Sequence, residues 1–130
     1  YLTFVNGAPF QPATAVGLGL PDSYFHGLAD DLRAKRDILA DGLTKAGFTL
    51  SLPDAGYFII ADAAPLGVTD AADFSRRLPE LAGVVGIPVT AFVRPGTRES
   101  FNTHLRFAFC KKRELLERAS AQLAELPPVS

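Results

Sequence analysis

One arginine stands in a run that otherwise alternates like a half-buried strand: Leu105, Arg106, Phe107, Ala108, Phe109, Cys110. Leu105, Phe107 and Phe109 fall on one face of a period-2 pattern, and Arg106, Ala108 and Cys110 on the other. A guanidinium is planar, permanently charged and carries five donors, so away from water it requires an anion. A carboxylate suits it well, because a pair of parallel N–H···O bonds supplies both energy and a fixed orientation. The bland alternative is an arginine whose stem lies over the sheet while its head stays in water. The stretch from Thr90 to His104 just before the strand contains Pro95, Gly96 and many polar residues, and reads as a long loop. Loops on a rigid scaffold are where binding residues collect.

The other chemistry-bearing residues form no constellation. His26 and His104 are too far apart to read as a metal motif, and no metal site is expected. Cys110 is the only cysteine, so neither a disulfide framework nor a cysteine zinc site is available, and a reduced, cytoplasmic compartment fits. Ser23, Ser75 and Ser100 lack a G-x-S-x-G setting. "GLGL" at 17–20 lacks the spacing of a phosphate loop, and "KAGF" at 45–48 is a helix C-cap. Asp30, Asp31 and Asp37, like Lys111, Lys112 and Arg113, read as solvated helix faces.

The elements that must hold Arg106 follow from period and punctuation. Ala13 to Leu20 reads as a short helix stopped by Pro21, and a long helix is expected from Ser23 to Ala46, closed by Gly47. Phe25, Leu28, Leu32, Leu39 and Leu43 are its expected core face. Strands are expected at 48–52, 57–61, 84–88 and 105–109. A helix from Thr69 or Asp70 should end at Pro79, and a last one should run from Lys111 to Leu126 with Leu115, Leu116, Ala119, Leu123 and Leu126 inward. The order implies an α/β chain, more narrowly a two-layer α+β arrangement, with a small mixed or antiparallel sheet and helices packed on one face.

With 130 residues, 48% hydrophobic residues and ten phenylalanines, the chain can build one real core. The net charge of −1, with both signs interspersed, provides no basic stripe, so nucleic-acid binding is not expected. No apolar run reaches the roughly 20 residues of a membrane span, and no membrane association is expected. Methionine is absent and the chain begins at Tyr1, so it reads as part of something longer.

Four stretches taken together resemble a known family. "GYFIIAD" (56–62), "VVGIPVTAF" (84–92) and "LRFAFCK" (105–111), with "FVNGAPFQPA" (4–13) before them, are similar in order and spacing to the C-terminal domain of class I/II aminotransferases. These are fold-type I enzymes that use pyridoxal 5'-phosphate, and the nearest resemblance is to the succinyldiaminopimelate, kynurenine and methionine aminotransferase branch. The resemblance implies that residues 1–20 are a connecting segment and short helix leaving a large domain, and that 21–130 are the C-terminal small domain. It implies that Arg106 holds the α-carboxylate of amino-acid and 2-oxo-acid substrates. Phe58 would wall the pocket, with Phe4 and Val5 reaching a neighbouring subunit's site in a homodimer.

It places no catalytic and no cofactor-binding residue in this chain. The Schiff-base lysine and its companions belong to the large domain, and Lys35, Lys45, Lys111 and Lys112 match none of them, so this chain alone is expected to be inactive. Two rival readings stand beside it: a non-catalytic α/β module binding a small carboxylate or a partner, and a C–S lyase or decarboxylase of the same fold.

Overall fold

A computed structural model describes residues 7–129. The chain divides between Asp31 and Leu32 into two compact units. In the first, a 3-10 turn at Ala8–Phe10 leads into α1, Gln11–Leu18. Pro12 opens α1, where its fixed φ is already helical and its missing N–H is not needed. The helix thus begins before Ala13 and ends at Gly19, short of Pro21.

Helix α2, Asp22–Lys45, starts in the first unit and ends in the second. Its C-terminus is a Schellman motif: Gly47, at φ +99°, donates to the Thr44 carbonyl at 3.0 Å, and Phe48 donates to that of Leu43 at 3.1 Å. Only its last turns are buried, through Leu39, Ala40, Gly42 and Leu43. Phe25 and Leu28, expected on the core face, are 42% and 50% exposed. Periodicity identified the apolar stripe, but the buried residues of the helix all lie in its second half.

The second unit carries a four-stranded sheet of β1 (Thr49–Ser51), β2 (Phe58–Asp62), β3 (Ile87–Pro88) and β4 (His104–Ala108). Their order is β1-β2-β4-β3, and every pair is antiparallel. Of the expected strand 84–88 only two residues pair; Val84 is buried while Val85 and Ile87 stay exposed. The expected loop 90–104 is ordered as 3-10 turns at Val89–Ala91 and Pro95–Phe101.

Helix α3, Ala71–Ala82, is capped by Asp70, whose Oδ1 accepts from the N–H groups of Ala72 at 2.8 Å and Asp73 at 3.1 Å. It does not end at Pro79. The buried stripe Phe74, Leu78, Ala82 continues past the proline, and Gly83, at φ +63°, is the true stop. Pro79 removes one hydrogen bond from the helix, and burial of the stripe offsets that loss. Helix α4, Arg113–Ala124, buries Leu116 and Leu123; Leu115, expected inward, is 40% exposed. Gly42 lets α2 and α4 approach closely, since a Cβ there would lie 2.5 Å from the Ser120 Cα.

Helices cover one face of the sheet. Ile59, Ala61, Leu105 and Phe107 point into that layer, against Leu39, Leu43, Phe74, Leu78, Leu116 and Leu123. No helix among the described residues is long and apolar enough to cross a membrane.

Candidate functional site

The opposite face of the sheet holds the candidate site. On it, alternation places Phe58, Ile60 and Asp62 of β2 and His104, Arg106 and Ala108 of β4, all half-buried. Arg106 is not at an edge: Ile60 lies opposite it on one side and Ile87 on the other. The flanking elements each supply an aromatic ring. Phe58, one step diagonal in the β2 register, sets its ring centroid 4.1 Å from the Arg106 Cζ. Phe92, at the end of the turn that follows β3, sets its centroid 4.0 Å from the same atom. The guanidinium is therefore held between two rings, in contacts worth about 0.5–1 kcal/mol each in water and about 2 when desolvated.

The charge itself is unanswered. Arg106 Nε is buried and has no hydrogen-bond partner, and among the described residues no carboxylate pairs with the guanidinium. An unsatisfied buried donor on a charged group is costly, and a planar anion at the Nη end would answer the charge, though not the Nε donor itself. The alternation around residue 106 marked this arginine from sequence, and β2 brings Phe58 to it as well. Phe92 was missed, because it sits in a non-periodic turn whose position against β4 no spacing rule indicates. Phe4 and Val5 lie outside the described residues. Tyr57, 45% exposed, packs its ring 4.5 Å from that of Phe58. Cys110 is exposed just beyond β4.

At the far end of the same face, Asp62 pairs across the sheet with His104. Burial would raise the Asp62 pKa, but the Thr103 hydroxyl, the Ala64 N–H at 2.9 Å and the His104 imidazole together hold it below the ordinary 3.8. A carboxylate whose folded pKa is depressed stabilises the fold above its unfolded value, and that stabilisation is lost as pH falls through the folded value. Urea unfolding of Asp62→Asn beside the parent should show a stability difference that is constant at neutral pH and shrinks once pH drops below about 3.8. A difference that does not move down to pH 2 would remove the Asp62 network as its source.

Comparison with known proteins bears on this site. Residues 3–123 match the sequence profile "Aminotransferase class I and II". A probable N-succinyldiaminopimelate aminotransferase of Mycobacterium tuberculosis is 42% identical over 97% of the chain. The solved N-succinyldiaminopimelate aminotransferase structure from that organism superposes with a TM-score of 0.85 at 43% identity, over 98% of this chain and 33% of that one. An Escherichia coli methionine aminotransferase structure follows at 0.79 and 31% identity, over 97% of this chain and 32% of that one. Rat kynurenine–oxoglutarate transaminase 3 is 36% identical over 76% of the chain and 24% of its own length. The chain thus spans about a third or less of these proteins (33%, 32% and 24%), in their C-terminal part.

Proposed function

The chain belongs to the class I and II aminotransferases, and from that premise we propose that Arg106 is the carboxylate grip of a pyridoxal-phosphate-dependent transaminase acting on an amino acid and a 2-oxo acid. The observation that supports this reading is the guanidinium itself, fixed between two rings with its charge unanswered among the described residues. Amino-group transfer needs the substrate's Cα held at one angle to the cofactor ring, and a two-point grip on the carboxylate fixes one end of that geometry.

The cofactor, when bound, supplies the electron sink for chemistry at Cα. In this reading it is bound mainly by the large domain rather than by this chain. No lysine lies on any strand of the sheet face that carries Arg106. Lys45 is paired with Asp41 at 2.6 Å, and Lys112 is the N-cap residue of α4. Lys111 lines a cleft of about 340 Å³ whose other walls include Leu39, Val84, Phe107 and Leu116, and no acidic residue lines it. In this reading residues 1–20 connect to the cofactor-binding part of the enzyme and 21–130 form the substrate-gripping small domain. Phe58 walls the pocket, Phe4 and Val5 reach a partner's site in a homodimer, and the enzyme works in the cytoplasm. The resemblance of "FVNGAPFQPA" and "LRFAFCK" to family stretches supports these assignments.

Incubation of the complete enzyme with a 15N-labelled amino acid and an unlabelled 2-oxo acid tests the activity. Label should move into the new amino acid, with the parallel initial-rate lines of a ping-pong sequence. Release of labelled ammonium together with a thiol from a cysteine conjugate would replace transfer by C–S lysis.

A further inference from the structure

We propose that Phe58 and Phe92 are positioning residues for the substrate, acting through Arg106 by locking its guanidinium into one plane with one open edge; this rests on the reading of Arg106 as the carboxylate grip. The Arg106 Cζ lies over two rings at once, centred 4.1 and 4.0 Å away. The Nε side of the guanidinium is closed, since that nitrogen is buried and without an acceptor. Of its three nitrogens only Nε is buried without a partner, which leaves the end that carries the two Nη atoms for an anion to reach. An anion then meets the group end-on, where two parallel N–H bonds suit a flat carboxylate.

The two rings come from different kinds of structure. Phe58 stands on β2, whose pairing with β4 runs from Phe58 opposite Ala108 to Asp62 opposite His104. That ring is fixed by sheet register. Phe92 closes the 3-10 turn Val89–Ala91, is 57% exposed and has no place in the core. A phenylalanine more than half exposed contributes little to burial among the described residues, and its ring there lies under the Arg106 Cζ. Energetically significant cation–π contacts occur about once per 70–80 residues, so two on a single guanidinium mark this arginine as deliberately held.

A flexible arginine must be ordered each time it grips, and that ordering is subtracted from the affinity. A stacked one is ordered beforehand. The effect should therefore be read mainly in substrate KM, because the carboxylate is held from binding onward.

The test is a double-mutant cycle in the complete enzyme, with Phe92→Leu, Phe92→Tyr, Phe58→Leu and Arg106→Ala. Each leucine variant should raise KM for the amino acid about 5- to 10-fold with a smaller change in kcat, and Phe92→Tyr, which keeps the ring face, should restore KM to within about 2-fold of the parent. In the Arg106→Ala background, Phe92→Leu should have no further effect, because the ring then has nothing to hold. A Phe92→Leu effect that persists undiminished without Arg106 would overturn the positioning role, as would parental KM in both leucine variants. In either case a crippled Arg106→Ala leaves the carboxylate grip standing. Parental kinetics in Arg106→Ala would instead sink that underlying reading, and the positioning role with it.

Discussion

If Arg106 grips the substrate carboxylate as proposed, Arg106→Ala in the complete enzyme should lower kcat/KM by about 10²–10³-fold, because removing one partner of a charge-assisted pair costs about 3–4 kcal/mol. Most of that loss should appear as a raised KM, since the carboxylate is gripped in the ground state as well as the transition state. Part should appear in kcat, because a substrate held at fewer points reaches the reactive angle less often. Arg106→Lys restores the charge but not the planar fork or the stacking between Phe58 and Phe92, so it should recover less than half of the lost free energy. The thermal midpoint should stay within a few degrees of the parent in both variants. The residue lies on the half-buried face, and alanine also removes the unsatisfied Nε, which offsets the lost ring contacts. Steady-state kinetics beside thermal unfolding separates the outcomes: unchanged kcat/KM ends the assignment, and a loss that tracks unfolding makes Arg106 a structural residue.

The arginine was visible in the sequence because a strand writes its two faces in alternate positions, and 105–109 does so without interruption. The long helix was visible for a similar reason. It starts at Asp22, one residue before the expected Ser23, and Gly47 closes it in the left-handed conformation that its type suggested. What failed to show had physical causes. Pro79 is a helix breaker by propensity, but Phe74, Leu78 and Ala82 share one buried stripe across it, and burial over three turns outweighs one missing bond. Phe25 and Leu28 lie on a stripe as regular as that of Leu39 and Leu43, and periodicity cannot say whether anything covers it. The second ring on Arg106 was hidden most deeply. Phe92 reaches it through a turn, and a contact made by a turn depends on tertiary placement that no local pattern encodes.

Phe107→Ala should destabilise the fold by about 3–5 kcal/mol, the cost of a large cavity in a packed core. The ring is 2% exposed, sits 5.9 Å from that of Phe48 in an edge-on contact, and comes so close to Gly86 that a Cβ there would lie 2.8 Å from it. Neighbours packed that tightly cannot collapse into the space it leaves. A domain of this size commonly has about 5–15 kcal/mol in total, so the loss is a large share of it. The urea midpoint should fall sharply at unchanged slope, and a loss under about 1 kcal/mol would show that the site can refill. Phe107 is the chain neighbour of Arg106, yet the two expected effects belong to different ledgers: one variant weakens substrate capture in a folded enzyme, the other unfolds the sheet that presents it. The pleat accounts for the division. A slip of one residue in the β2–β4 register would put Arg106 into the core and Phe107 on the site face. The buried row of Leu105, Phe107 and Phe109 therefore does more than stabilise: it forbids that slip, and so fixes which way the guanidinium faces.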